Sequence, residues 1–267
     1  MLFRSGNMVR IVADAQEITS HENSFTISFT DLYQHVKSGT KIALDDGKIM
    51  LSVSHVEGSD IICNVIRGGV LINEKGVNII DTDIRINPFT EKDEADALFG
   101  IQEGFDAVAL SFVKRKEDVE YLKEFLQKHT DKVFPVIAKI ETRQALHGIE
   151  GILSVVDMIM VARGDLGIEI PVEKIPLAQK ELVYVARKHG IPAIVATEML
   201  KSMTKNPFPT RAEITDCIDA LIDGASYIML SDETTTGEYP VEAVQVMTSV
   251  IHEFIENRKK YTLFEKD

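Results

Sequence analysis

The chain has 267 residues and a formal net charge of −13, from 42 acidic and 29 basic side chains. A hydrophobic content of 45% and a charged content of 27% are ordinary for a globular protein with a sizeable core. There is no basic block to follow a phosphate backbone, which argues against nucleic acid as a partner, and no apolar run reaches the ~18 residues of a membrane span.

Residues 1–10 carry basic side chains but lack the long apolar segment of a secretion signal. Met8 is as good a start as Met1, so no element is expected over the first seven residues. Short β-rich runs follow at 24–30, 40–44, 48–54, 60–67 and 77–81, and residues 31–38 read as a turn or short helical insert. Asp46-Gly47 between two apolar runs predicts a tight hairpin. Residues 1–85 therefore read as a small all-β domain.

Over residues 86–267 the pattern becomes strand, then helix, repeatedly. Thr90-x-x-Asp93 opens a helix expected to end near Gly104. Apolar runs lie at 107–113, 134–140, 158–162, 193–197 and 227–230. Thr210-x-x-Glu213 opens a helix with Ala212, Ile214, Cys217, Ile218, Leu221 and Ile222 at helical spacing, closed by Gly224. Pro240 begins the last helix, with Val244, Met247, Val250, Ile251 and Phe254 as its expected buried stripe. Near-continuous apolar strands alternating with helices predict a parallel sheet covered by helices, of TIM-barrel or doubly wound type. Cys63 and Cys217 form neither a ligand pair nor a disulfide framework, which points to a reducing, cytoplasmic setting.

Each apolar run of this second part ends in chemically capable residues: Ser111; Lys139 and Glu141; Arg163 and Asp165; Thr197 and Glu198; Ser231 and Glu233. Active sites of TIM barrels form at the C-terminal ends of strands, so this placement predicts a site there. Lys139 and Glu141, two apart on a strand, share a face. Glu141 with Asp165 forms a two-carboxylate set suited to Mg²⁺, while Gly164 and Gly167 allow close backbone approach by an anion. The histidines lack ligand spacing, and the nine methionines read as core filler.

The chain resembles the pyruvate kinase family in five stretches. They are Val136-Ile137-Ala138-Lys139-Ile140-Glu141, Met160-Val161-Ala162-Arg163-Gly164-Asp165-Leu166-Gly167, Ala196-Thr197-Glu198-Met199-Leu200-Lys201-Ser202-Met203, Asn206-Pro207-Phe208-Pro209-Thr210-Arg211-Ala212-Glu213 and Ile228-Met229-Leu230-Ser231-Asp232-Glu233-Thr234. The resemblance implies phosphoryl transfer from phosphoenolpyruvate to ADP, giving pyruvate and ATP, with Mg²⁺ or Mn²⁺ and K⁺. It implies that Lys139 stabilises the transferring phosphoryl group and the enolate, and that Glu141 and Asp165 hold the divalent metal. Gly164, Asp165 and Thr197 would bind the substrate carboxylate. Thr197, supported by Ser231 and Glu233, would deliver a proton to the enolate carbon. Ser111 and Phe112 match a strand end lining the same pocket, and Asp46 matches a lid residue on the nucleotide side.

Glu198 stands where the family usually has Gln, Asp232 where it usually has Gly, and Phe208 where Arg is common. The resemblance also implies a barrel represented by its last five strands, with the first βα units, the K⁺ ligands and the C-terminal domain of the family unmatched. Five strands are too few to close an eight-stranded barrel, so weak or no phosphoryl transfer is expected of the isolated chain. A homo-oligomer through the barrel domain, near residues 206–213, is a further expectation. Two other readings stay open: a metal-dependent aldolase or lyase of the pyruvate-enolate barrels, and a non-catalytic chain that associates with a longer partner.

Overall fold

A computed structural model describes residues 1–13, 23–80 and 89–261. Residue 81 of the last predicted β run and the predicted domain boundary at residue 85 lie outside the described residues. The chain forms two compact units, Met1–Ile86 and Asn87–Asp267.

Among the described residues the first unit is β, apart from a 3-10 turn at Thr30–Gln34. Its strands are β1 (Leu2–Phe3), β2 (Met8–Val12), β3 (Ser24–Thr26), β4 (Lys41–Leu44), β5 (Ile49–Glu57), β6 (Asp60–Arg67), β7 (Gly69–Val70) and β8 (Val77–Ile80). Six of them make one sheet in the order β3-β2-β6-β5-β4-β8, while β1 pairs with β7. Alternation sets the faces: Val9 and Ile11 of β2 and Ile49, Leu51 and Val53 of β5 are buried in one core. The β4–β5 hairpin turns on Asp46 (φ 54°) and Gly47 (φ 78°), and Lys48 N–H donates to the Asp45 carbonyl at 3.0 Å. Positive φ at both central residues is what a type I′ turn requires.

The expectation of no structure over the first seven residues is corrected, since β1 lies there. The strand β2, in the segment before the first predicted strand, is also an addition. Its Arg10 reaches across to Asp60 (2.7 Å) and Glu57 (2.9 Å).

Among the described residues the second unit has five strands, β9 (Val108–Leu110), β10 (Val136–Ile140), β11 (Met158–Ala162), β12 (Ala193–Ala196) and β13 (Tyr227–Met229). They pair in sequence order, all parallel. The helices are α1 (Glu91–Gln102), α2 (Lys116–His129), α3 (Arg143–His147), α4 (Ile149–Leu153), α5 (Arg163–Glu169), α6 (Ile175–Lys188), α7 (Arg211–Asp223), α8 (Asp232–Thr235) and α9 (Pro240–Tyr261). This is a partial TIM-barrel architecture of βα units following an all-β module, one of the two parallel types the sequence pattern allows and the one the resemblance implies.

One sheet face, with Val136, Ala138, Ile140, Ile159, Val161 and Val195, packs against the helices in the main core. Burying each such branched side chain contributes roughly 1.5–3 kcal/mol. The opposite face carries a smaller apolar cluster, Met160, Ile194 and Ala196 with Ile137, Met158 and Met229 around it.

The capping boxes at Thr90 and Thr210 both form, and Gly224 closes α7 at φ 102°. In α9 the buried stripe is Ala243, Met247 and Val250, with Ile251 and Phe254 half-buried; Val244 is exposed. The expected stripe was out by one residue at its start, because both Ala243 and Val244 lie three or four residues from Met247.

Candidate functional site

Because the five strands are parallel, their C-terminal ends lie along one edge of the sheet. Val136, Ala138 and Ile140 of β10 face the helices, so Lys139 and then Glu141 face the other way. Lys139 Nζ lies 2.7 Å from Glu141 Oε1 and donates to Ser111 Oγ at 3.0 Å. Glu141 Oε2 accepts the Phe112 N–H at 2.6 Å. That bond coincides with a left-handed backbone at Phe112 (φ 54°), which is uncommon for a bulky residue. Glu141 is only 1% exposed. A carboxylate this deep needs charge and hydrogen-bond partners. Its Oε1 meets the Lys139 ammonium as an ion pair but accepts no well-directed hydrogen bond among the described residues. The Lys139 ammonium thus balances the buried charge, and a carboxylate at a strand end is the donor type that Mg²⁺ takes.

At the next two strand ends the chain is held by a different device. Thr197 (φ 69°) and Glu198 (φ 56°) are consecutive left-handed residues, and neither is glycine. For a β-branched residue this is a strained conformation, costing on the order of 1–3 kcal/mol. The Arg163 guanidinium grips the Thr197 carbonyl through Nη2 (2.8 Å) and Nε (3.3 Å). The adjacent Gly164 N–H donates to Thr197 Oγ1 at 2.8 Å. Since that oxygen accepts, the hydroxyl proton of Thr197 remains to be donated elsewhere. Asp165 sits half-buried in the first turn of α5. Among the described residues no three His, Cys, Asp or Glu side chains gather as a metal cluster. Mg²⁺ does not need such a cluster, since one or two carboxylates plus substrate oxygens and water complete its shell.

At the end of β13, Glu233 is 1% exposed and both its oxygens are engaged. Oε1 accepts the Leu200 N–H and Oε2 the Ser231 N–H, each at 2.9 Å. Glu233 thereby ties β13 to the segment after β12. The Ser231 carbonyl accepts the Thr234 and Thr235 N–H groups at 3.1 Å, which winds the chain into α8. The same loop after β12 is clamped by Glu213, whose oxygens accept the Ser202 N–H and hydroxyl, both at 2.6 Å. Partial burial pushes Glu213 up, but the bonds from Ser202 and Thr210 outweigh it and hold the carboxyl below its ordinary value.

The sequence matches the family described as pyruvate kinase, barrel domain, over residues 1–244. The chain belongs to the pyruvate kinase family. It is 40% identical to the pyruvate kinase of Clostridium acetobutylicum over 261 residues, which covers 98% of this chain and 55% of that relative. It is 44% identical to the pyruvate kinase of Geobacillus stearothermophilus over 243 residues, 90% of this chain and 41% of the relative. It is 42% identical to a pyruvate kinase of Mycobacterium tuberculosis over 252 residues, 94% of this chain and 53% of the relative. The chain spans about half the length of the curated relatives it matches.

Within this member of the pyruvate kinase family, Asp232, Glu198 and Phe208 have distinct surroundings. Asp232 is ion-paired with Lys201. Its hydrogen bond raises the Lys201 ammonium above the ordinary value of 10.5, against a smaller lowering by burial. The added acid is thus met within the chain. Glu198 and Phe208 are exposed. Asp46 is exposed at the tip of the β4–β5 hairpin, in the other unit.

Sequence reasoning named Arg163 as a strand-end residue but missed what holds it. Arg163 Nη1 donates to Asp216 Oδ1 on α7 (2.7 Å) and to Gln179 Oε1 on α6 (3.2 Å). Neither partner has a local signal, because each lies in the middle of an ordinary helical pattern. Both cysteines are buried free thiols, and burial pushes each up to about 12. Among the described residues no helix is long and apolar enough to cross a membrane.

Proposed function

We propose that this chain serves the reaction of its family, phosphoryl transfer from phosphoenolpyruvate to ADP. The observation that carries the reading is the Ser111–Lys139–Glu141 group, a lysine held on an otherwise apolar strand between a hydroxyl and a buried carboxylate. Glu141 and Asp165 would hold Mg²⁺ or Mn²⁺. When bound, the ion supplies Lewis-acid stabilisation of the phosphoryl and enolate oxygens. The Lys139 ammonium, fixed by Ser111 and Glu141, places a positive charge where negative charge develops on the enolate and the transferring group. Gly164, Asp165 and Thr197 bind the substrate carboxylate, with Phe112 and Ser111 lining the same pocket. The Thr197 hydroxyl, its oxygen already accepting from Gly164, donates toward the enolate carbon through water. Ser231 lines that path, and Glu233 positions it through the Leu200 and Ser231 amides.

We assign the five parallel strands to the second part of the family's barrel. The K⁺ ligands belong to segments outside them. Asp46 belongs to the nucleotide side of the β unit. A second copy docking through the barrel unit, and a cytosolic setting consistent with two free buried thiols, complete the assignment.

The test separates the enolate chemistry from the full transfer. Wild-type chain with Mg²⁺ is expected to exchange pyruvate methyl protons for solvent deuterium, and Lys139→Met to lose that exchange by roughly 10²-fold or more. Coupled turnover of phosphoenolpyruvate and ADP is expected to be weak in the isolated chain. Exchange that is independent of Lys139 and of metal overturns the assignment. Retro-aldol cleavage of 2-keto acids without ADP transfers it to the aldolase class.

A further inference from the structure

We propose that Asp216, on the outer helix α7, is a positioning residue that acts through Arg163 to hold Thr197 in its left-handed conformation. The proposal deepens the reading of Thr197 as a site residue and rests on it. Thr197 is gripped at two points by one short stretch of chain. The Arg163 guanidinium takes its carbonyl, and the neighbouring Gly164 N–H takes its hydroxyl oxygen. Arg163 does not reach outward to a ligand, because its side chain is only 11% exposed and its nitrogens are engaged inside the protein. What fixes the guanidinium is Asp216, at 2.7 Å, with Gln179 beside it. Gln179 is itself tethered, its Nε2 donating to Asp223 at 3.1 Å, and Asp223 pairs with Lys180. The path from helix to site residue is therefore Asp216 to Arg163 to Thr197, two direct contacts. A β-branched residue at φ 69° does not keep that conformation unless its surroundings enforce it.

The Gly164 amide supplies a readout. It is solvent-exposed and lies in the first turn of α5, where an N–H has no acceptor within the helix. Its protection from hydrogen exchange depends on the single bond to Thr197 Oγ1, so it reports on the position of that hydroxyl without any need for turnover.

The full chain is compared with Asp216→Ala, Asp216→Asn and, as a control on the same helix, the exposed Asp219→Ala. In Asp216→Ala, exchange at Gly164 is expected to rise about tenfold or more beyond the change at other α5 amides. Asp216→Asn keeps an acceptor for Arg163 Nη1 and is expected to restore most of the protection. Should the alanine variant not fold, the residual rise at Gly164 in Asp216→Asn, above that of the other α5 amides, carries the test, and no rise overturns the proposal. Asp219→Ala should leave Gly164 unchanged. Gly164 exchange that stays constant, or rises only in step with the rest of α5, overturns the proposal and makes Asp216 a structural residue alone. Selective loss of Gly164 protection in a chain without pyruvate exchange activity sinks the functional reading and leaves the positioning role standing.

Discussion

Replacing Glu233 by Gln removes one hydrogen-bond acceptor and changes almost nothing in volume. In the native chain the two carboxylate oxygens accept from Leu200 and Ser231, both at 2.9 Å, in a position that is 1% exposed. A glutamine oxygen can satisfy either amide, and its NH₂ must then face the other donor. One charge-assisted bond, worth about 1.5–3 kcal/mol, is lost, and one N–H is left facing a donor. The expected cost is about 2–4 kcal/mol, or roughly 30- to 1000-fold in the local folding equilibrium. Urea unfolding followed by far-ultraviolet circular dichroism measures it, as a lower midpoint for the transition of the βα unit at unchanged slope. Amide exchange at Leu200 and Ser231 should locate the loss to one of the two. An unfolding free energy within about 0.5 kcal/mol of wild type, with both amides still protected, refutes the positional role of Glu233.

Glu213 predicts a pH dependence. Its folded pKa lies below the ordinary value of 4.5, so its stabilisation is fully present above that value and is lost as pH falls through the lowered one. Glu213→Gln should flatten the acid limb of the stability profile below pH ~4.5, and an unchanged limb counts against the clamp. Asp165→Ala and Glu141→Gln should each weaken Mn²⁺ binding by ~10-fold or more in calorimetry, and equal affinity in all three proteins removes both residues from the metal set. Gly47→Ala forces a side chain into φ 78° and should destabilise the β unit by about 1 kcal/mol in thermal unfolding, whereas Asp46→Asn, which tolerates the left-handed region, should be close to neutral.

The parallel sheet was legible because strands buried on both sides leave long apolar runs, as at Val136, Ile137, Ala138 and Ile140. The helix starts at Thr90 and Thr210 were legible because a capping box is local. The β2 strand escaped notice although Val9 and Ile11 alternate around Arg10, since its antiparallel partner β6 lies far along the chain. At the site, the polar strand ends were readable from residue type. Their division of labour was not. The sequence places Glu233 in support of Thr197, and only the structure shows its two oxygens accepting from the Leu200 and Ser231 amides. The strained pair Thr197-Glu198 carries no glycine to announce it, and the Arg163–Asp216 contact joins residues 53 apart.

The loop that leaves β12 is fastened from several directions. Arg163 holds Thr197, Glu233 holds Leu200, Asp232 pairs with Lys201, and Glu213 holds Ser202. Four of the six residues from Thr197 to Ser202 are thus pinned by anchors on three separate helices. Such a segment has no slack in its length. Inserting or deleting one residue between Thr197 and Ser202 would put the anchors out of phase together, whereas point changes would loosen them one at a time. Length variation in an engineered or drifting member of this family should therefore collect farther on, around the exposed Phe208, and spare these six positions.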